Sequence, residues 1–188
     1  MTTTRRDDLL DAAIDLLGQQ GVRAVTHRAV DAAAELPTGS ASNYFRTRDA
    51  LFDAIVERFS TRERANFEEL AAYLAPTTTT ELARALAVFA RDAAGRNRAL
   101  TLARYAILIE STRRPELRAQ LLATGARVNT WFSTWLRLIG STNPDQHVHV
   151  VGNYLTGLIL HQLAMPDPAF DPSTHLDLLL TSLVRGQT

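Results

Sequence analysis

Apolar residues recur at helical spacing along almost the whole chain, and the alternation typical of β-strands is nearly absent. Clear stripes lie within residues 10–17, 51–59 and 176–183, where apolar side chains are spaced three and four apart. Such residues share one face of an α-helix, so each stripe predicts an amphipathic helix. Prolines, glycines and capping residues divide the chain into about nine segments of this kind. The predicted boundary signals are capping boxes at Thr4/Asp7 and Thr78/Glu81, a stop at Gly21, and a cap at Asn143 followed by Pro144 at the first helical position. The pattern therefore predicts an all-α protein with no sheet.

Composition sets the broad class of protein. Of the 188 residues, 46% are hydrophobic and 21% are charged, which is ordinary for a soluble globular protein. There is no cysteine, so disulfides and thiolate metal sites are excluded. The N-terminus MTTTRRDD lacks the apolar segment of a secretory signal, and polar side chains interrupt the most apolar stretch, residues 148–165. We therefore expect a soluble, cytoplasmic protein without a membrane span.

Net charge gives no support for nucleic-acid binding. The formal net charge is zero, and all 20 basic residues are arginine. Residues 1–64 carry nine arginines against ten acidic residues, and the range 23–48 has four arginines against two acidic residues. A nucleic-acid function must therefore rest on a motif rather than on bulk electrostatics.

The segment 38–49, TGSASNYFRTRD, has an unusual composition for a core helix. Thr26 can cap a short helix that Leu36-Pro37 interrupts, and a second short helix is predicted from about 38 to 45. Two short helices joined by a tight turn are a candidate helix-turn-helix. A helix in the major groove of DNA needs small or hydrogen-bonding side chains on its exposed face. The segment supplies Thr38, Ser40, Ser42 and Asn43 for hydrogen bonds, and Gly39 for close backbone approach.

The residues around this segment suit contacts with the DNA backbone. We expect Phe45 to lie in the core, whereas the Tyr44 hydroxyl can reach a phosphate. Arg28, near the start of the preceding helix, is a candidate for bidentate binding to a guanine edge. Further phosphate contacts are predicted at Thr26, Arg46 and Arg48. A solvated polar helix in an ordinary helical bundle would use the same residue types, so the residues alone leave both interpretations open.

Residues 5–55 resemble the N-terminal domain of the tetracycline-repressor (TetR) family of bacterial regulators. The family pattern is an apolar helix, a glycine and a threonine, then I-A-x-x-A-G-V-S-x-G-x-x-Y-x-Y-F, and then S-K-x-x-L. The matching residues are Gly21, Thr26, Val30, Ala34, Leu36, Gly39, Tyr44, Phe45, Thr47, Arg48 and Leu51. The resemblance implies DNA contacts at Thr26, Arg28, Thr38, Gly39, Ser40, Tyr44 and Arg48, with His27 and Asn43 as further candidates.

The chain departs from the family pattern at several positions. Glu35 replaces the turn glycine, so we expect a turn conformation that is open to a residue with a Cβ atom. Pro37 replaces the usual capping serine, and Ser42 replaces a tyrosine that commonly contacts phosphate. Arg48 stands in for a lysine, which keeps the charge but changes the geometry of a phosphate contact.

The remainder of the chain resembles the family in architecture only. We predict a DNA-binding domain over residues 1–46 and a ligand-binding and dimerisation domain over 47–188, joined by a helix over 47–75. The resemblance implies a small effector bound among helices four to eight. Trp131 and Trp135 lie one helical turn apart and could form a flat wall for an aromatic or apolar effector, although such residues often belong to a simple core. The predicted ligand-binding residues are Phe89, Tyr105, Trp131, Phe132, Trp135, Tyr154 and His161.

The last two helices are the predicted dimer interface. In the family, these helices form a four-helix interface between two copies. Gly152 and Gly157 would permit close backbone approach, and the leucine stripe in residues 176–183 needs a partner, although packing within one chain would use the same residues. Reading two operator half-sites requires a two-fold molecule. The predicted interface residues are Gly152, Leu155, Ile159, Leu176, Leu179, Leu180 and Leu183.

The sequence offers no support for catalysis, a cofactor or a metal. His147 and His149 are two positions apart and face different sides of a helix, unlike helical zinc ligands. No nucleophile elbow or phosphate-binding loop is present. We therefore expect a homodimeric regulator, a repressor that a small effector releases from a palindromic operator. The alternatives are a small-molecule binding protein with a degenerate DNA-binding head, and an all-α enzyme.

Overall fold

The computed structural model describes residues 4–73 and 75–186, without the side chains of residues 70–73, 124 and 127. Within these ranges the chain forms nine α-helices, one 3-10 turn and no strand, which confirms the all-α prediction. The helices are α1 (Arg5–Gln20), α2 (His27–Ala33), α3 (Ser40–Tyr44), α4 (Arg48–Tyr73), α5 (Thr79–Ala94), α6 (Arg98–Ser111), α7 (Pro115–Leu138), α8 (Pro144–Ala164) and α9 (Ser173–Arg185).

The chain forms two compact units. The first contains the chain up to residue 65 together with residues 99–124, and the second contains residues 66–98 together with the chain from residue 125. The division at residues 46 and 47 expected from the sequence is a functional one and stays a prediction. The connecting helix was expected over 47–75; α4 ends at Tyr73, and residue 74 lies outside the described residues.

Local signals set the boundaries of the first helices. The Thr4 side chain accepts from the Asp7 N–H and the Asp7 carboxylate accepts from the Thr4 N–H, which is the predicted capping box of α1. Gly21 ends α1 with a φ of 79°, a left-handed value that suits glycine. A 3-10 turn over Val22–Ala24 then leads to α2, where Thr26 is the N-cap.

The first unit has a continuous hydrophobic core that joins α1 to α4 and α6. Its fully buried members include Ile14, Ile55, Phe59 and Ile107. Helices α1 and α6 approach so closely at Gly18 that an added Cβ would lie 2.0 Å from the Ala99 carbonyl oxygen. On the surface, the Arg58 guanidinium of α4 donates two hydrogen bonds of 2.9 and 2.7 Å to the Asp11 carboxylate of α1.

In the second unit, α5 packs against α8 and α9. Leu86 of α5 and the α9 residues Leu176 and Leu180 are fully buried. The hydroxyl groups of Thr79 and Thr181 lie 3.2 Å apart and link the two helices at their ends. These contacts hold α9 by its buried face and leave its opposite face exposed.

Two predicted helix starts in the second unit differ in detail from expectation. Thr78 caps α5, but the Glu81 carboxylate accepts from the N–H of Thr77 rather than of Thr78, so the two residues do not form a reciprocal capping box. Pro144 is the first residue of α8 as predicted, but the Asn143 side chain donates to Gln146 and makes no capping hydrogen bond. In both cases the helix starts where predicted, but the side chain of Glu81 or Asn143 hydrogen bonds to a different neighbouring group.

Candidate nucleic-acid interface

The N-terminus of α2 is built as the sequence predicts. The Thr26 Oγ1 accepts a hydrogen bond of 3.2 Å from the Ala29 N–H. Because the oxygen is the acceptor in this cap, the hydroxyl hydrogen is left to donate to another group. Arg28, at the second position of the helix, is exposed. This end of α2 therefore presents one neutral donor and one guanidinium to solvent.

The turn between α2 and α3 keeps the left-handed conformation of a glycine turn. Glu35 has a φ of 54°, which lies in the small left-handed region that a residue with a Cβ atom can adopt, as expected for this turn. The N–H of Leu36 donates to the Asp31 carbonyl at 2.9 Å and the N–H of Glu35 to the Ala32 carbonyl at 3.2 Å, which is a Schellman motif. These two hydrogen bonds hold Glu35 in a region that costs about 1–2 kcal/mol for a residue with a Cβ atom.

Helix α3 starts without a side-chain cap of its own. Its N-cap is Gly39, with a φ of 96°, and the helix is only five residues long. The cap comes instead from α2, where the Asp31 side chain is 3% exposed. One Asp31 carboxylate oxygen accepts from the Gly39 N–H at 2.8 Å and the other from the Ala41 N–H at 2.6 Å. A buried carboxylate thus fastens α3 to α2.

The outward face of α3 is polar, as the sequence predicts. Tyr44 is 48% exposed while Phe45 is buried, which confirms the expected core position of Phe45. The phosphate contact of Tyr44 stays a prediction. The Ser40 hydroxyl donates to the Pro37 carbonyl at 2.6 Å and the Ser42 hydroxyl to the Gly39 carbonyl at 2.9 Å. Both serine oxygens remain able to accept hydrogen bonds from outside. The predicted residues that are exposed here are Thr38, Ser42, Asn43 and Tyr44, with Ser40 and Gly39 half-buried.

Two predicted DNA contacts also have partners within the protein. The His27 Nε2 lies 2.6 Å from the Phe45 carbonyl oxygen, so this nitrogen carries the hydrogen and holds the end of α3 against α2. The Arg48 Nη2 donates to the Val22 carbonyl at 3.0 Å, which ties the start of α4 to the turn after α1. Arg48 is nevertheless exposed, whereas His27 is half-buried.

Asp31 was missed by sequence reasoning. It occupies the alanine position of the I-A pair in the family pattern, next to Val30 on the buried side of α2. The sequence signal for this contact is a charged residue next to an apolar one on the buried side of a helix, because a carboxylate is stable in the interior only when it accepts hydrogen bonds.

The predicted ligand-binding residues fall into separate places. Rings of Phe89, Phe132 and Trp135 join Phe67 in one packed cluster in the second unit, with centroid separations of 5.2 to 6.0 Å. Phe132 and Trp135 are buried neighbours, while Trp131 is half-buried. A ligand wall of Trp131 and Trp135 stays a prediction. Tyr105 belongs to the first unit.

Tyr154 and His161 line a cavity of about 550 Å³ between α8 and the loop that follows it. The Gln162 amide holds this loop in place, since it donates to the Asp167 carbonyl at 2.9 Å and accepts from the Asp167 N–H at 3.1 Å. The full lining is Asn153, Tyr154, Gly157, Leu158, His161, Gln162, Met165, Asp167 and Phe170. The cavity therefore combines aromatic and apolar walls with a few polar groups.

The predicted dimer interface needs correction. Four of its members are buried inside a single chain and have no surface to offer a partner: Leu155, Ile159, Leu176 and Leu180. Gly152, Leu179 and Leu183 are half-buried. The apolar side chains that α8 and α9 leave exposed are instead Val150, Leu160 and Leu178, the last at 65%. An apolar stripe marks a buried face, and here α5 of the same chain covers it.

His147 and His149 lie in the first turn and a half of α8. His147 is buried with its Nδ1 2.9 Å from the Ser141 hydroxyl, whereas His149 is exposed, so the two histidines face different sides as expected. The described part of the chain holds no group of three or more histidine, cysteine or acidic side chains arranged to bind a metal. Within the same residues, no helix is both long and apolar enough to cross a membrane.

Family models match both the N-terminal and the C-terminal part of the chain. The model for bacterial regulatory proteins of the tetR family matches residues 9–55, and the model for the tetracyclin repressor-like C-terminal domain matches residues 77–186. No curated protein matches the chain in a sequence comparison.

Several solved structures share the whole fold. A TetR-family member from Streptomyces coelicolor A3 is 26% identical, covers 97% of this chain and 99% of its own, and superposes with a TM-score of 0.70. The multidrug-binding protein EbrR complexed with ethidium is 25% identical over 96% of this chain and 99% of its own, with a TM-score of 0.70. A transcriptional regulator from Rhodococcus sp. Rha1, 20% identical over 97% of each chain, has a TM-score of 0.78 and shares the fold. With family models covering both its N-terminal and C-terminal parts, this chain belongs to the TetR family and is a DNA-binding transcriptional regulator.

Proposed function

We propose that this regulator is a homodimeric repressor that binds a palindromic operator through α3 and releases it when a small aromatic or apolar molecule binds. The observation that carries the proposal is the polar outward face of α3, held to α2 by the buried Asp31 carboxylate. A recognition helix must present its side chains to base edges in one fixed orientation, because bidentate contacts tolerate little displacement.

The proposed contacts with DNA divide into base reading and backbone binding. Base edges are read by Arg28, by Thr38 in the turn before α3, and by the α3 residues Ser40, Ser42 and Asn43. Gly39 allows the backbone to approach the groove. The hydroxyl groups of Thr26 and Tyr44 donate to phosphates, because the Thr26 hydrogen is not used in its cap. Arg48 adds a charged phosphate contact, and His27 acts by holding the end of α3.

The proposed dimer uses the exposed faces of α8 and α9. Val150 and Leu160 on α8 and Leu178 on α9 are exposed apolar residues, and half-buried Leu179 and Leu183 adjoin them. Gly152 has open space where a Cβ would be, so a partner helix could come close. A two-fold dimer presents two recognition helices to successive major grooves, about 34 Å apart.

The effector is expected in the cavity beside α8. Its volume of about 550 Å³ lies within the range of small-molecule sites. The rings of Tyr154 and Phe170 supply flat apolar surface, whereas the aromatic cluster around Phe132 fills its own space. Structures of EbrR, 27% and 25% identical to this chain, hold proflavin and ethidium, which supports a planar aromatic ligand. An effector releases DNA only to the extent that it binds the DNA-free state more tightly.

Selection from a randomised duplex DNA pool tests the DNA-binding part of the proposal. We expect the wild-type protein to enrich a palindrome at moderate salt. Arg28→Ala should weaken binding to that palindrome by about 1–3 kcal/mol and relax one position of each half-site. Arg48→Ala should weaken all sequences alike and lower the slope of log affinity against log salt by about one. If no sequence is enriched, the small-molecule binding protein becomes the better interpretation.

A fluorescence titration with ethidium tests the effector site. Tyr154→Ala removes a wall of the cavity and should raise the dissociation constant about tenfold or more. Tyr44→Ala is the matched control, because it deletes the same side chain from α3 in the other compact unit. Equal effects of the two substitutions would show that the cavity beside α8 is not the site.

A further inference from the structure

Asp31 makes three connections across the helix-turn-helix. Its two carboxylate oxygens accept from the N–H groups of Gly39 and Ala41, and its own carbonyl accepts from the N–H of Leu36. The side chain is 3% exposed, so water does not compete for these hydrogen bonds. A single residue of α2 therefore holds both the turn and the start of α3.

Helix α3 needs such support because it is too short to be stable alone. It has five residues, and isolated helices below about 12 residues are marginal in water. Gly39, its N-cap, has no side chain that could accept from the free N–H groups. Pro37 has no hydroxyl either, although the family pattern has a capping serine at this position.

The two departures from the family pattern are complementary. The pattern has alanine at position 31 and serine at position 37, whereas this chain has Asp31 and Pro37. A serine at 37 would cap the start of the recognition helix from within the same segment. Here the acceptor has moved to α2, and it bonds to the same stretch of backbone through space.

We propose that Asp31 is a positioning residue for sequence-specific DNA binding, which fixes the orientation of α3 in the place of a local helix cap. Asp31 does not itself contact DNA; it acts through the backbone of Gly39 and Ala41. The inference deepens the proposed function, since it rests on base reading by α3. Backbone binding by Thr26 and Arg48 does not depend on α3, so loss of Asp31 affects operator binding more than binding to other DNA.

The test compares Asp31→Asn with Asp15→Asn. An asparagine has nearly the same shape but only one oxygen, and its NH₂ group faces a backbone N–H instead of accepting from it. Asp15 is an exposed residue of α1, so its substitution removes the same charge without touching the turn. For each protein, affinity is measured for the selected operator and for a scrambled duplex at the same salt concentration. Amide hydrogen exchange is followed at Gly39 and Ala41.

We expect Asp31→Asn to lower the ratio of operator to scrambled affinity about tenfold, because a charge-assisted hydrogen bond is lost. Affinity for the scrambled duplex should stay the same or rise, since a negative charge near the phosphates is removed. Exchange at the two amides should be faster, with exchange in the middle of α1 unchanged. Asp15→Asn should match the wild type in both measurements.

Two results would overturn the positioning role. One is an operator-to-scrambled ratio within twofold of the wild type in Asp31→Asn; the other is unchanged exchange at Gly39 and Ala41. A wild-type protein that itself shows no preference for any sequence would instead reject base reading by α3. The exchange measurement needs no DNA, so it separates failure of the positioning contact from failure of the proposed function.

Discussion

Gly18→Ala is the substitution that most directly tests the packing of α1 on α6. An ideal Cβ at Gly18 would lie 2.0 Å from the Ala99 carbonyl oxygen and 2.8 Å from its carbonyl carbon. Non-bonded heavy atoms normally sit about 3.5–4.0 Å apart, so the two helices would have to separate by more than about 1 Å. The atoms in the way are backbone atoms, which cannot rotate aside as a side chain can.

The expected cost follows from two opposing effects. Overpacking costs about 1–3 kcal/mol, and the upper end applies because the clash is with backbone. Alanine returns about 1 kcal/mol over glycine through helix propensity. We therefore expect the free energy of unfolding to fall by about 2 kcal/mol, which for a chain of this size lowers the Tm by about 4–8 °C.

Urea and thermal unfolding at one fixed protein concentration measure this cost. Gly125→Ala is the matched control, because Gly125 lies in α7 with no atom within 4 Å of its would-be Cβ. That variant should gain about 0.5–1 kcal/mol from helix propensity alone. If Gly18→Ala is as stable as Gly125→Ala, α1 and α6 do not approach at Gly18 and the packing argument is wrong.

Four further substitutions or conditions have definite expected outcomes. Glu35→Gly should raise the free energy of unfolding by about 0.5–1 kcal/mol in urea unfolding, because glycine adopts a positive φ without strain; a loss would mean that the Glu35 side chain is itself stabilising. Gly152→Ala should raise the stability of the monomer but weaken the dimer about tenfold in analytical ultracentrifugation; an unchanged dimer constant would place Gly152 outside the interface. The hydroxyl and then the N–H of Thr4 donate to the Asp7 carboxylate and lower its pKa in the folded state, so this contribution to stability is present above about pH 4 and is lost as the pH falls through that lowered pKa. Asp7→Asn should therefore lose less stability than the wild type between pH 6 and pH 3 in urea unfolding. Equal losses in the two proteins would contradict this role of Asp7. Adding Pro37→Ser to Asp31→Asn should restore part of the operator-to-scrambled affinity ratio, since a serine at position 37 can cap α3 locally. If the ratio does not recover, loss of the α3 cap is not the reason why Asp31→Asn lowers it.

Most helix boundaries could be predicted because their signals are local. Gly21 ends α1, Thr26 caps α2, and Pro115 and Pro144 stand at the first positions of α7 and α8, as their sequence neighbours indicate. Each of these residues acts on backbone groups within four positions, so a short window of sequence contains all that is needed. The same reasoning correctly put Phe45 in the core and Tyr44 outside.

Contacts through space were beyond this reasoning. Asp31 binds N–H groups eight and ten positions away, and nothing in the intervening sequence marks that pairing. The left-handed φ of Glu35 was not predicted as such, because residue preference argues against it and only the hydrogen bonds of the turn enforce it. Leu176 and Leu180 of α9 are covered, as the stripe predicts, but the sequence could not say that α5 rather than a partner chain covers them. Leu179 and Leu183 of the same stripe are only half-buried.

The core of the first compact unit extends beyond the predicted DNA-binding domain of residues 1–46. Ile14 of α1, Phe45 beside α3, Ile55 of α4 and Ile107 of α6 are all members of one buried cluster. A head ending at residue 46 would therefore expose the apolar surface that α4 and α6 cover, at a cost of about 25 cal/mol per Å². Because interiors are close-packed, a shift of α4 or α6 cannot be absorbed without moving the helices they touch. The helices proposed to read DNA thus share their core with α4 and α6, and we therefore expect a displacement of α4 or α6 to disturb the packing of α3.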